Sequence, residues 1–199
     1  MSVWMFPGQG SQHVGMGENL FALYDDWVQQ ADATLGYSIV QLCLQDSQHQ
    51  LNQTQYTQPA LYVVNAMAYR KRAEEGQLPQ WLLGHSLGEY NALLAADAYN
   101  FVTGLQLVQK RGALMSQQQG GCMAVALGLK EQDVQQALQQ GGLHDVDIAN
   151  INAPEQIVVA GPQQSVKDAC EILTKAGAKR MVTLPVSGAF HSRYMRQTQ

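Results

Sequence analysis

Gly84-His85-Ser86-Leu87-Gly88-Glu89-Tyr90 is the stretch whose reading decides the fold. A short apolar run, Trp81-Leu82-Leu83, precedes it, and the helix-compatible Asn91-Ala-Leu-Leu-Ala-Ala follows. Gly-x-Ser-x-Gly between a strand and a helix is an elbow, with glycines beside the serine because side chains would clash in so sharp a turn. The turn lifts the hydroxyl out of the sheet and aims the first amides of the next helix at whatever the hydroxyl attacks. The bare pattern is a weak signal, and its weight comes from the strand-like and helix-like flanks. The spacing therefore predicts an α/β core with Ser86 at the end of a strand.

Outward from the elbow, residues 3–6 are an apolar run stopped by Pro7-Gly8-Gln9-Gly10, which reads as a buried strand entering a tight loop. Residues 16–35 are mostly helix-compatible and closed by Gly36. Thr57-Gln58-Pro59 opens a segment with Leu61, Val64, Met67 and Ala68 at helical spacing, which predicts a helix to about Glu75 with proline in its first turn. Beyond the elbow, Asn100 is placed to cap a helix carrying Phe101, Leu105, Val108 and Arg111. From residue 120 the pattern becomes strand 122–127, helix 131–140, strands 146–151 and 156–160, helix 163–176 and strand 179–184. That β-α-β-β-α-β order is the ferredoxin-like one. The expected fold class is α/β: a hydrolase-like parallel-sheet core over 1–119 and 185–199, with an inserted ferredoxin-like α+β subdomain over 120–184.

Composition narrows the classes of function. The 199 residues are 46% hydrophobic and 14% charged, with a net charge of -4 and much of the polar surface supplied by glutamine. No basic block or arginine stripe is present to hold a phosphate backbone, so a nucleic acid partner is not expected. The first residues lack the charged and apolar parts of a signal peptide, and no apolar run spans a bilayer, so no membrane partner is expected either. Cys43, Cys122 and Cys170 are odd in number and lack metal-type spacing; they read as reduced thiols of a cytoplasmic protein with no metal site.

Ser86 is the candidate nucleophile, and a serine hydroxyl needs a base to take its proton as it attacks. Of five histidines, His13, His49 and His144 lie in polar stretches and read as surface residues. His85 adjoins the serine but points away from it on such a turn, which suits the lining of an entrance. His191, in a glycine-containing loop just after a predicted strand, stands open between a base and an ordinary loop histidine. Arg111 is open in the same way: beside Lys110 the plain reading is a solvated basic pair, and the functional one is a guanidinium fork gripping a carboxylate in an apolar cleft. Gly8-Gln9-Gly10 has little side-chain bulk and can bring backbone amides to a ligand, though its spacing is neither a dinucleotide fingerprint nor a Walker motif.

Phe6-Pro-Gly-Gln-Gly-Ser-Gln12, Thr57-Gln-Pro-Ala-Leu61, Gly84-His-Ser-Leu-Gly-Glu-Tyr90, Arg111-Gly112, Asn152-Ala-Pro154 and Gly188-Ala-Phe-His-Ser192 together resemble the malonyl-CoA:acyl-carrier-protein transacylase family, along the whole chain. The wording around His191 is similar to the discrete, trans-acting acyltransferases of polyketide synthases. The resemblance implies a malonyl transferase of polyketide or fatty acid biosynthesis, taking malonyl-CoA as substrate, with no bound cofactor and an acyl carrier protein as partner. It implies Ser86 as nucleophile, His191 as general base, the amides of Gln9 and Leu87 as oxyanion hole, and Arg111 as the partner of the malonyl carboxylate. Phe190 and His85 would line the substrate site, with the ring of Phe190 crowding an α-methyl branch. Members of the family continue past the Gly-Ala-Phe-His-Ser loop, so the resemblance also implies that a C-terminal part of the core, including a carbonyl that orients the histidine, is missing here.

Three other readings compete. An acyl-thioester hydrolase of the same fold would lack the arginine. A carboxylesterase expects an acid between serine and histidine, where Asp145, Asp147 and Asp168 all fall in the predicted insertion. A non-catalytic carrier-protein docking module would survive loss of Ser86. Lys110, Lys179, Arg180 and Arg193 are the candidate carrier contacts.

Overall fold

Val3–Phe6 (β1) and Trp81–Gly84 (β2) pair in parallel, with Val3 opposite Trp81 and Phe6 opposite Gly84. This register ends both strands together, so the Gln9 loop and the Ser86 turn leave the sheet at the same end. The computed structural model describes residues 1–198. The chain forms two compact units, Met1–Leu114 and Met115 onward.

In the first unit, helices Glu18–Phe21 (α1), Asp25–Leu35 (α2), Ile39–Leu44 (α3) and Thr54–Glu74 (α4) lie between the two strands in sequence. Gly88–Ala95 (α5) and Phe101–Ser116 (α6) follow. The helix-compatible stretch 16–35 forms two helices. Gly17 precedes the first at φ +81, where a Cβ would stand 2.8 Å from the Phe21 ring and 2.9 Å from Val64, and the chain turns again before Asp25. Helix α3 was not predicted. Ser38 caps it by accepting from the Gln41 amide at 3.3 Å, and Ile39, Leu42 and Cys43 are buried.

Helix α4 begins at Thr54, so Pro59 is an interior residue rather than a first-turn one. Proline cannot donate to the carbonyl four residues back, that of Gln55. Gly112 of α6 packs there, with an added Cβ meeting Gln55 Cα and the Thr54 carbonyl oxygen at 3.2 Å each. Asn100 caps α6 as expected, accepting from the Thr103 amide at 2.9 Å. Tyr62, Ile39, Met67, Leu87, Leu105 and Val108 form the fully buried centre of this unit.

The second unit follows the expected element order: Gly121–Leu127 (β3), Glu131–Gln140 (α7), Asp147–Ala153 (β4), Gln156–Pro162 (β5), Gln163–Lys175 (α8) and Arg180–Thr183 (β6). Its sheet is antiparallel in the order β4-β5-β3-β6. Alternate residues of β3 and β5 point to opposite faces. Ala124, Ala126, Ile157 and Val159 meet α7 and α8, while Met123, Val125, Val158 and Ala160 face the other way and are also buried. Ala189, Phe190 and Met195 cover that second face. Residues 185–198 therefore group with the second unit among the described residues, where the sequence placed 185–199 with the core. The cause is a sheet apolar on both faces, which needs cover on each.

Candidate active site

The elbow forms as the glycines require. A Cβ on Gly84 would stand 2.0 Å from the Glu89 amide nitrogen, and one on Gly88 would stand 2.1 Å from the Phe6 carbonyl oxygen. A Cβ on Gly8 would meet the His85 carbonyl oxygen at 2.4 Å. These approaches stitch β1 to the turn, where the His85 amide donates to the Phe6 carbonyl at 3.0 Å and the Gly88 amide to the His85 carbonyl at 3.0 Å. Ser86 sits at φ +54, a left-handed conformation that L-residues rarely adopt and that clusters at functional sites. Helix α5 starts two residues later, with Leu87 as its cap.

Arg111 reaches this serine from α6. Its Nη2 donates to Ser86 Oγ at 3.0 Å and its Nη1 to Gln58 Oε1 at 2.7 Å. The guanidinium carbon stands 5.8 Å from the centroid of the Tyr90 ring. Burial lowers its pKa, with Tyr90 and Glu89 acting in the opposite direction. Among the described residues Arg111 forms no ion pair. The hydrogen-bond partners of this partly desolvated cation are a neutral amide and a hydroxyl, which leaves it able to take a further anion. Lys110 is exposed, while Arg111 is half-buried and turned toward Gln58 and Ser86.

Gln58 is a site residue that sequence reasoning did not single out. It is 1% exposed inside α4, within the fully buried run from Thr57 to Val63. A lone amide in such a run was the available signal, since a buried polar side chain requires a partner. The Gln9 loop lies nearby: Gln9 Nε2 donates to Thr54 Oγ1 at 3.2 Å, Ser11 Oγ donates to the Gly8 carbonyl at 2.8 Å, and Gly10 takes φ +108. Neither the Gln9 nor the Leu87 amide donates to another group among the described residues.

The first unit thus gathers Ser86, Leu87, His85, Gln9 and Arg111. His85 is exposed, as are His13, His49 and His144. His191 and Phe190 stand in the second unit. Phe190 is 4% exposed, packed on the outer face of the sheet, and His191 is exposed at φ +58. The three carboxylates an esterase would call on are engaged elsewhere: Asp145 accepts from Ser165 Oγ at 2.5 Å, Asp168 from Gln164 at 2.9 Å, and Asp147 from Arg193. Of the candidate carrier contacts, Lys179 pairs with Glu155 at 3.6 Å and Arg193 with Asp147. Among the described residues no three His, Cys, Asp or Glu side chains group to hold a metal, and no helix is long and apolar enough to cross a membrane.

With that geometry in place, the chain belongs to the acyl transferase domain family, which matches residues 3–199. Within that family it is 52% identical over 201 residues to the polyketide biosynthesis malonyl CoA-acyl carrier protein transacylase PksC of Bacillus subtilis, covering 100% of this chain and 70% of that protein. It is 51% identical to the polyketide biosynthesis protein PksE of the same organism, of which it spans 26%. Among solved structures, the malonyl CoA-acyl carrier protein transacylase of Burkholderia pseudomallei superposes with a TM-score of 0.94 at 47% identity, over 98% of this chain and 68% of that one. A malonyl-transacylase in complex with a type II PKS acyl-carrier protein gives 0.92 at 35% identity, over 98% and 66%. The chain therefore spans from about a quarter to 70% of the length of these relatives.

Proposed function

We propose that this chain carries a malonyl group from malonyl-CoA to the phosphopantetheine thiol of an acyl carrier protein, in polyketide or fatty acid biosynthesis. The observation that carries the reading is Arg111: a desolvated cation that forms no ion pair among the described residues, in contact with the hydroxyl that would be acylated. Its fork takes the free carboxylate of the malonyl group and sets the thioester carbon beside Ser86 Oγ.

His191 removes the hydroxyl proton as Oγ attacks the thioester. The tetrahedral oxyanion is held by the Gln9 and Leu87 amides, each contributing about 2.7–4 kcal/mol. The C–S bond breaks and the protonated His191 returns its proton to the coenzyme A thiolate. The carrier thiol then gives its proton to His191, attacks the acyl-serine and leaves with the malonyl group, while Ser86 recovers its proton. His85 lines the entrance, and Phe190, packed on the sheet, acts on a branched acyl group only through its hold on the His191 loop. An acetyl group would leave Arg111 without its anion, so the site selects against it. In this reading the first unit is a hydrolase-like core and the second, from its strand order, a ferredoxin-like subdomain.

Intact-protein mass after brief exposure to malonyl-CoA tests this, beside acetyl-CoA, methylmalonyl-CoA and Ser86→Ala. One malonyl adduct is expected, absent in the variant and weak with the other donors. Full labelling of Ser86→Ala, or equal labelling by acetyl-CoA, would overturn it.

A further inference from the structure

His191 is held in its left-handed conformation from both sides. Before it, Ala189 and Phe190 are buried on the sheet, and the chain passes so close to β3 that a Cβ on Gly121 would stand 2.2 Å from the Ala189 nitrogen. After it, Ser192 Oγ donates to the Ala189 carbonyl and accepts from the Tyr194 amide at 3.3 Å, closing the loop across His191. A 3₁₀ turn over Arg193–Thr198 follows.

That turn is fastened to the start of β4 at its first residue. The Arg193 amide donates to Asp147 Oδ2 at 2.8 Å, and Nε donates to Oδ1 at 2.8 Å and to Oδ2 at 3.1 Å. Nη2 also donates to Oδ1. Next along, Tyr194 Oη donates to the Asp145 carbonyl at 2.9 Å, and the Asp145 carboxylate takes the Ser165 hydroxyl of α8. One carboxylate thus receives backbone and side-chain donors of a residue two positions from His191. Burial raises the Asp147 pKa and the Arg193 hydrogen bonds more than offset it, so the group stays below its ordinary value. A main-chain bond to a carboxylate fixes a backbone position, which a surface ion pair alone does not. A strained residue persists only where its surroundings over-determine it.

We infer that Asp147 is a positioning residue for His191: by holding the Arg193 amide and guanidinium it fixes the chain on the far side of the histidine and so aims the imidazole. The inference rests on His191 being the general base of the transfer. Asp147 touches no reacting group, so its loss slows the chemical step and leaves substrate binding unchanged.

The test is a double-mutant cycle in the rate of acyl-serine formation, with Asp147→Asn and His191→Ala made singly and together in this chain. Asp147→Asn is expected to lower kcat roughly ten- to hundredfold, with KM for malonyl-CoA within about twofold of the parent. In the His191→Ala background it is expected to cost nothing further. Arg193→Lys, which keeps the main-chain bond and loses the planar fork, is expected to fall between parent and Asp147→Asn. Unchanged melting temperatures of each variant would confirm that folding is not what is read. An equal loss in both backgrounds, or a rise in KM without a fall in kcat, would overturn the positioning role alone. Full activity of His191→Ala would overturn both this role and the base reading.

Discussion

Arg111→Met separates a catalytic guanidinium from a structural one, because the two roles predict opposite outcomes. Methionine keeps the packing of the stem and removes the fork. In the complex two charge-assisted hydrogen bonds to the malonyl carboxylate would be lost, each about 1.5–3 kcal/mol. Taking about 1.5–2 kcal/mol for each gives about 3–4 kcal/mol, or roughly 150- to 1000-fold in kcat/KM for malonyl loading. Stability moves differently. Loss of the bonds to Gln58 and Ser86 costs a few kcal/mol, while removal of a desolvated cation with no carboxylate partner returns a similar amount. The net change is within about 1 kcal/mol, so the melting temperature stays within roughly 4 °C. The assay is stopped-flow or quenched mass detection of the acyl-enzyme with malonyl-CoA and acetyl-CoA, beside a thermal melt. Acetyl loading is expected to hold or rise. A fall of more than 10 °C with parallel losses for both donors would refute the reasoning, since Arg111 would then be a structural tie.

Gly88→Ala drives a methyl onto the Phe6 carbonyl oxygen, 2.1 Å from the ideal Cβ, so it is expected to cost about 3 kcal/mol, lowering the melting temperature by roughly 6–12 °C. Ser86→Gly and Ser86→Ala both abolish the acyl adduct, but glycine relieves the left-handed conformation at φ +54 and alanine does not; a chemical melt should find the glycine variant more stable by about 1 kcal/mol. Cys43 is fully buried, and that burial, with Asp46 adding to it, pushes its thiol from 9.0 up to about 12. The unfolded thiol ionises first, so its contribution is complete below pH 9 and stability falls by about 1.4 kcal/mol per pH unit until about pH 12. Denaturant midpoints of the parent measured from pH 8 to 11 should drop more steeply than those of Cys43→Ala; equal slopes would remove this cause.

Much of the site was legible because its constraints are local. Two glycines around Ser86, a proline-glycine stop after Phe6 and an asparagine before Phe101 each specify a turn or cap within a few residues, and the structure has each in place. The second unit was readable for the same reason, since its strands and helices alternate with clear period changes. What was missed depends on contacts distant in sequence. The break at 22–24 and helix α3 follow from how Phe21 and Ile39 pack into the first unit, which composition does not announce. The early start of α4 hides behind Pro59, read as a first-turn residue although the helix begins five residues before it, where Gly112 packs from α6. Residues 185–198 were assigned by motif rather than by the apolar second face of the sheet they cover.

The contact at Gly112 is a gauge. Thr54, which holds the Gln9 side chain, and Gln58, which holds Arg111, lie one turn apart on α4, and Gly112 is the next residue after Arg111 on α6. The spacing between the two helices is set there by a hydrogen atom in place of a methyl group, with Gln55 Cα and the Thr54 carbonyl oxygen both 3.2 Å from where a Cβ would lie. A methyl at that point would ease α6 outward by a few tenths of an ångström, and Arg111 would move with it relative to Ser86 while every catalytic side chain stayed unchanged. On the proposed function, the reach between Ser86 Oγ and the acyl carboxylate, and hence the length of acyl group accepted, would be adjustable from the wall behind the site.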